Sequence, residues 1–451
     1  MVIVAGRPAL ADAARRATQI ALGATIVLSP FRARIELLAR PTAAVYGDFT
    51  DLLLFWSDIA VVVTLGAWLL SLLARPRPIS VGPRFLAYPV VGLLIVAALG
   101  VPFATDIGLA AYHEIRLAVL ALLALCAINE VDRIDRVVPS ICLMVVVQAI
   151  VGIGQALSQH SLGIAGLGEH ELSPSLGVSV VTAADGVRYL RAYGLADHPN
   201  ILGGVLTFAL LLIAGSVARR SAPGPSLATV TFGIGAATLF VTFSRGAWLG
   251  LVVGLLALGS MLAVRRDRAS IHALARVLLA GAIICLPFVA PFVSVLEARS
   301  DTSGQIVTEA RSLNERSALV EVTNQVFSAH PVLGVGIGAL PLAIEQARPA
   351  FDFQYQPSSV VLLDVAAETG LFGAAFYAVI VVAPWLAMLR HRARWTVDLA
   401  GSSAALAAVT IVGLFDYYTW SYSAGRIWSW LVLAMWAVAY RTAAAGQTDA
   451  A

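Results

Sequence analysis

Apolar runs of about 20 residues alternate with short polar connections along most of this chain, which is the length a helix needs to cross a bilayer. Backbone groups inside lipid must be satisfied within the spanning structure, and these runs are too long and too uniformly apolar to be the strands of a barrel. The pattern therefore predicts an all-α polytopic membrane protein with about twelve spans, placed roughly at 17–30, 52–74, 85–104, 109–128, 137–157, 199–218, 226–243, 246–264, 274–296, 359–389, 399–419 and 425–441. Two connections, 158–198 and 297–358, are longer than bundle turns require, and long ordered loops tend to carry function. The second opens polar at Asp301 to Gln305 and then repeats Leu319, Val322 and Val326 at helical spacing between Arg316 and Phe327. That spacing predicts an amphipathic helix lying on the outer face of the bundle, opened by Arg316 and ended by His330-Pro331.

Composition agrees, since 59% of the 451 residues are hydrophobic and only 13% are charged. Such a chain has too much apolar surface for a soluble core, and a single integral membrane domain over 1–451 is the simplest partition. No period of 20 to 50 residues indicates a repeat array. All thirty basic residues are arginine. Eighteen fall at the N-terminus or in alternate connections: Arg7, Arg15 and Arg16, then Arg75, Arg77, Arg84, Arg133, Arg136, Arg219, Arg220, Arg265 to Arg276, Arg390 to Arg394, and Arg441. The positive-inside rule makes those segments cytoplasmic and puts both termini inside. The first span follows Arg15 and Arg16 without a small-residue cleavage site, so it is expected to remain as an anchor. Eleven other arginines lie on the opposite side and Arg116 within a span, a surplus that insertion does not require and that suggests an anionic ligand. Thinly spread cytoplasmic arginines give no reason to expect nucleic acid. Cys126, Cys142 and Cys285 all fall in predicted spans, with no metal-binding spacing and no disulfide pairing suggested.

Four segments on the non-cytoplasmic side carry candidate chemistry. Arg191 precedes a helix start marked by Asp197, His198, Pro199 and Asn200, where free backbone N–H groups favour an anion and a guanidinium can bind phosphate oxygens; the plainer alternative has Asp197 capping that helix. Arg245 stands in the short Ser244-Arg-Gly-Ala-Trp248 connection, where a glycine and a capping serine would suffice. Arg316 opens the loop helix, with Glu315 or Glu321 as alternative partners, and Arg348 follows in the same loop. Arg426 and Asp416 are placed to form an ion pair across the last outer turn. Within spans, His113, Glu114 and Arg116 cluster, and Glu368 lies two turns into the tenth; intramembrane charges mark function or a structural network. Gly334-Val-Gly-Ile-Gly338 neither follows a strand nor opens a nucleotide-binding helix, and it reads as a tight loop. The absence of a Walker lysine, a nucleophile elbow or an H-E-x-x-H motif gives no support to ATP hydrolysis, serine-hydrolase chemistry or a zinc site.

Taken in order, Arg191-Ala-Tyr-Gly with His198-Pro-Asn200, Ser244-Arg-Gly-Ala-Trp248, Arg316 with His330-Pro-Val-Leu-Gly-Val-Gly-Ile-Gly338, and Gln356-Pro357 with Ala367-Glu-Thr-Gly-Leu-Phe-Gly373 resemble the O-antigen ligase and polymerase superfamily of bacterial envelope glycan enzymes. The similarity covers roughly residues 188–375. It implies a glycosyltransferase of the cytoplasmic (inner) membrane of a bacterium that moves a glycan from undecaprenyl diphosphate to a sugar or lipid acceptor, such as lipopolysaccharide, at the outer face. It implies that Arg191, Arg245 and Arg316 hold the donor diphosphate, with Arg348 a further candidate, and that no cofactor or metal is required. Arginine suits this task because it keeps its charge at any working pH.

The chain departs from that pattern at one place. Ligases of the family usually carry His-Asn nine residues before the glutamate, where this chain has Ser359 and Val360. A serine hydroxyl cannot replace imidazole as a base near neutral pH, so the acceptor proton would pass to Glu368, Asp364, Asp352 or His198, or the reaction would rely on stabilising the diphosphate leaving group with little base assistance. Glu368, His198 and Ser359 are thus the catalytic candidates. Two other readings remain: a catalytically silent homologue that binds lipid-linked glycan, and a transporter of an anionic or lipid-linked solute, although no paired helix interruptions in the two halves favour the latter.

Overall fold

The computed structural model describes residues 8–40, 44–183, 186–219, 225–300, 307–392 and 395–448. Arg7, Arg220, Arg394 and the polar opening at Asp301 to Gln305 lie outside the described residues. In chain order the elements are α1 (Pro8–Leu28), β1 (Arg34–Leu38), α2 (Gly47–Thr50), β2 (Leu52–Phe55), α3 (Trp56–Ala74), α4 (Arg84–Gly100), α5 (Ile107–Glu130) and α6 (Val138–Ser158). They continue with β3 (Val180–Thr182), β4 (Arg188–Leu190), α7 (Pro199–Ala218), α8 (Pro225–Val241), α9 (Arg245–Val264), α10 (Arg268–Val289), α11 (Val293–Ser300) and α12 (Val307–Ala329). The last are α13 (Leu340–Ala347), α14 (Val361–Arg390), α15 (Val397–Val412), α16 (Tyr418–Ser421) and α17 (Ser423–Thr448).

The fold is all-α and polytopic. Each expected span coincides with a helix, and eight of these, α3 to α7, α9, α10 and α14, are long and apolar enough to cross a membrane. α8 and α15 contain shorter apolar helices, Leu227–Val241 and Val397–Val412. Several boundaries shift, among them the start of α10 at Arg268 and the end of α17 at Thr448. α1 begins at Pro8, residues 52–55 form a strand where a helix was expected, and α15 stops at Val412, so Asp416 lies in a loop. The two short antiparallel ribbons, β1–β2 and β3–β4, carry no alternating signal long enough to be read from sequence.

α7 is the central post. Every residue of its membrane window is buried, while α10 and α14 bury only about a fifth of theirs. Their outward side chains, such as Ile283, Leu286, Leu371 and Val382, are exposed apolar groups that suit a lipid face. α7 is crossed closely by α15, because a Cβ on Gly215 would stand 2.7 Å from the Gly401 Cα. Small residues permit this approach, as in other membrane helix pairs.

Contacts divide the bundle into two ends. At one, the buried Glu130 accepts from Arg15 (2.8 Å), Arg77 and the Trp68 indole (3.1 Å), and Arg219 pairs with Asp398. At the other, the long connections are stitched together by backbone hydrogen bonds: Arg32 N–H to Leu195 O, Ala192 N–H to Val241 O, Thr105 N–H to Val335 O and Val361 N–H to Gly413 O. Two fully buried glutamines of α6 reinforce this end. Gln155 accepts from the Tyr193 and Gly194 N–H groups, and Gln148 accepts from Leu195 N–H.

The glycine-rich loop after α12 closes a break in α14. Gly370 has φ +73 and ψ −175 inside that helix, and the segment 331–336 fills the gap. Val335 N–H donates to Ala367 O, Gly336 N–H to Glu368 O, and Leu371 N–H to Pro331 O. Gly334, Gly336 and Gly338 all have positive φ, which only glycine adopts freely, so the tight-loop reading holds. Irregular backbone of this kind survives beside membrane helices when it is buried in protein and its polar groups are satisfied. α12 lies across this region with Leu319, Val322 and Val326 buried, as the amphipathic spacing predicts. It starts at Val307, however, so Arg316 sits mid-helix and does not open it.

Candidate active site

A cavity of about 500 Å³ opens where the long connections meet. Six stretches of the chain form its walls: Tyr46 to Phe49, Gly177 to Ser179, Tyr193 to Ile201, Glu315 to Leu319 on α12, Gln354 to Ser359, and Asp416 to Tyr422. Its lining is more polar than apolar in area, and hydrogen bonds tie it together: Tyr417 OH donates to Gln356 Oε1 (2.8 Å), Gln356 Nε2 to Glu315 Oε1 (3.1 Å), and Gln354 Nε2 to Tyr46 OH (2.6 Å).

The start of α7 supplies one wall. His198, not Asp197, is the N-cap, its Nδ1 accepting the Asn200 N–H at 3.1 Å with Pro199 in the first turn. Asp197 is instead held by Arg34 (2.9 Å) and Arg32 (3.3 Å), and Arg34 also pairs with Asp48, which binds the α2 segment to the α7 entrance. Burial pushes the Asp197 carboxyl up to about 6, against the opposing pull of those two guanidinium groups.

Arg191 stands one layer behind the wall. Only 5% exposed, it donates to Thr242 O (2.7 Å), Ser179 Oγ (2.8 Å) and Asn200 Oδ1 (2.5 Å). Because a guanidinium can only donate, it fixes the Asn200 amide with its oxygen inward, and the NH2 then donates to Asp416 Oδ2 at 2.7 Å. Burial raises the Asp416 carboxyl above the ordinary range, partly offset by Arg316, Asn200 and Arg191.

Arg316 lines the cavity itself and, among the described residues, has neither a hydrogen-bond nor an ion-pair partner; only the charges of Glu315 and Asp416 act on it. His198 and Ser359 also line the cavity. Arg245 does not, although it begins α9 against the α7 entrance, where a Cβ on Gly203 would meet Ser244 and Ala247, and one on Gly246 would meet Phe415. Arg348 pairs with Glu321 (2.7 Å) on the surface.

Glu368 is not in the cavity. It is 2% exposed, accepts from the Trp420 indole at 2.7 Å and from backbone N–H groups of Gly338 and Leu340, and so fastens the glycine loop to α14. Asp364 is likewise buried, accepting from Ser358 N–H, and Asp352 is absent from the lining. The expected Asp416–Arg426 ion pair does not form. Arg426 reaches Trp420 O and His113 Nδ1 (3.0 Å), while Arg116 joins Asp58 (2.9 Å) and Ser423 (2.9 Å). His113, Arg116, Arg426 and Asp58 thus make contacts away from the cavity, whereas one Glu114 carboxylate oxygen is buried without a hydrogen-bond partner among the described residues. Much of the surplus of arginine is also accounted for by internal partners: Arg32 and Arg34 by Asp197 and Asp48, Arg40 by Asp106, and Arg348 by Glu321.

Sequence reasoning missed Tyr46, Asp48, Gln354, Tyr417, Tyr418 and Tyr422, and misassigned Asp416. The available signal was Asp416-Tyr-Tyr-Thr-Trp-Ser-Tyr422, polar and aromatic density where a bare turn between two spans would suffice.

Residues 230–378 match a family model described as O-antigen ligase. The chain carries an O-antigen ligase domain. No curated protein matches the chain. The O-antigen ligase domain runs from α8 into α14 and includes Arg245, Arg316, Ser359, the glycine loop and Glu368. The cavity draws its remaining walls from outside the matched segment, at 46–49, 177–179, 193–201 and 416–422. This match, together with the apolar helices, supports a membrane glycan-handling function of the O-antigen ligase and polymerase type.

Proposed function

We propose that this chain is a glycosyltransferase of the inner membrane of a bacterium, with both termini cytoplasmic. It moves a glycan from a polyprenyl diphosphate such as undecaprenyl diphosphate to a sugar or lipid acceptor at the outer face. The supporting observation is a half-buried arginine, Arg316, without a hydrogen-bond or ion-pair partner among the described residues, in a polar cavity formed by the long connections and bordered by the O-antigen ligase domain. A diphosphate leaving group develops negative charge as the glycosidic bond breaks, and a fixed guanidinium in a partly dry site stabilises that charge. In this reading Arg316 contacts the diphosphate, His198 lines the acceptor side, and Arg191 acts through Asn200. Arg245 guides the donor headgroup at the rim. Arg348 and Glu368 hold structure, the first pairing α12 to the following loop and the second clamping the glycine loop.

The test is turnover by the purified full-length protein. Given a synthetic polyprenyl-diphosphate trisaccharide and a panel of saccharide and glycolipid acceptors, the wild type releases polyprenyl diphosphate only when an acceptor is present. Ser359 in the cavity favours one second reading, a silent donor-binding homologue, and donor binding without any release would select it. Movement of solute across sealed vesicles without covalent change would select transport.

A further inference from the structure

The following rests on the glycan-transfer reading. An acceptor hydroxyl that attacks an anomeric carbon must give up its proton, so a base has to face the cavity. Ser359 faces it, but an alkyl hydroxyl does not accept protons near neutral pH. His198 also faces it. Its Nδ1 accepts the Asn200 N–H, which places the ring proton on Nε2 and makes the remaining edge of the neutral ring a donor.

Four carboxylates remain: Asp48, Asp197, Glu315 and Asp416. Asp48 and Asp197 are engaged by Arg34, and Asp197 by Arg32 as well, so both are poor proton acceptors. Glu315 accepts from Gln356 and feels the charges of Arg311 and Arg316. Asp416 also feels the charges of Arg316 and Arg191, but it differs from Asp48 and Asp197 in lacking an ion pair among the described residues, and from Glu315 in that its amide donor is itself fixed by a donor-only guanidinium. Its hydrogen-bond donors are both amides, the Asn200 Nδ2 at 2.7 Å and the Tyr417 backbone N–H, and it has no ion pair among the described residues. Its direction is fixed, because the chain from Arg191 through Asn200 to Asp416 allows only one orientation of the middle amide.

We propose that Asp416 is the general base of this chain and that Asn200, oriented by Arg191, positions it. In the step, the acceptor oxygen forms a bond to the anomeric carbon while the bond from that carbon to the diphosphate oxygen breaks. The hydroxyl proton passes to the Asp416 carboxylate, and the electron pair of the broken bond leaves with polyprenyl diphosphate beside Arg316. Water in the cavity then takes the proton from Asp416. The partly buried setting of this carboxylate, away from any direct cation, favours that uptake.

The experiment uses the full-length protein and the polyprenyl-diphosphate trisaccharide, with whichever panel acceptor the wild type uses. Asp416→Asn is expected to lower kcat by roughly two orders of magnitude or more while donor affinity stays within about threefold. In Asp416→Ala, added formate is expected to restore turnover in proportion to its concentration, a rescue that a purely structural role does not produce. Turnover near the wild-type level in Asp416→Asn overturns the assignment alone, as does donor affinity falling in parallel with kcat. A wild type that binds donor but never releases polyprenyl diphosphate overturns the transfer reading and this assignment together.

Discussion

Arg316→Met separates binding from stability because of what this side chain lacks. Among the described residues Arg316 has no hydrogen bond or ion pair, so its removal breaks neither kind of bond with the protein, and methionine keeps the apolar stem along α12. Folding stability is therefore expected to change by no more than about 0.5 kcal/mol, the range of substitutions that touch no special feature. The diphosphate, in contrast, loses a charge-assisted hydrogen bond worth about 1.5–3 kcal/mol. At about 1.4 kcal/mol per tenfold, this lowers kcat/KM by roughly 10- to 150-fold. Arg316→Lys keeps the charge but not the planar fork, and its loss should be intermediate. The measurements are acceptor-dependent release of polyprenyl diphosphate and thermal unfolding of the same samples in detergent. If Arg316→Met retained wild-type kcat/KM, or unfolded several degrees early, the cavity arginine would be a structural element and the donor site would lie elsewhere.

Other outcomes follow from the same geometry. Arg191→Lys cannot reach three acceptors in the fixed fork, and it should destabilise the protein by about 1–3 kcal/mol in thermal unfolding, with a loss of turnover through a misaligned Asn200. Gly370→Ala places a Cβ 2.0 Å from Val332 O at φ +73; added strain and overlap should cost about 2–5 kcal/mol, and a variant with unchanged unfolding temperature would contradict the observed break in α14. Arg34→Met should destabilise the protein more at pH 7.5 than at pH 5. Burial already raises Asp197 to about 6, so removing the nearer of its two cations raises it further: the carboxyl is neutral and tolerated at pH 5, but at pH 7.5 it must be buried as a charge opposed by Arg32 alone or take up a proton. Equal losses at the two pH values would show that the Asp197 pairing carries no such role.

The residues that were legible are those whose signal is local. Run length identified the membrane helices, because bilayer thickness sets it regardless of what each helix packs against. Leu319, Val322 and Val326 showed the loop helix by spacing alone, and Gly334 to Gly338 announced a turn because few other residues tolerate positive φ. Motif order suggested Arg191, Arg245 and Arg316 for one site; of these Arg316 lines the cavity, Arg191 stands one layer behind it, and Arg245 does not line it. Charge partners were another matter. Arg426 and Asp416, close in sequence, turn away from each other, while Asn200 meets Asp416 from 216 residues away. Glu368 was readable as important but not as the clamp on a glycine loop.

The sequence by itself determined that the chain crosses a membrane repeatedly, which connections are long, and which residues in them carry charge, since each of these follows from composition within a window of twenty residues or so. Only the tertiary structure decided which arginines are neutralised by carboxylates of the chain and which one is left facing the cavity. Pairing depends on how α7, α12 and the last outer turn are brought together, and a hydrogen bond of 2.7 Å between Asn200 and Asp416, 216 residues apart, has no counterpart in local pattern.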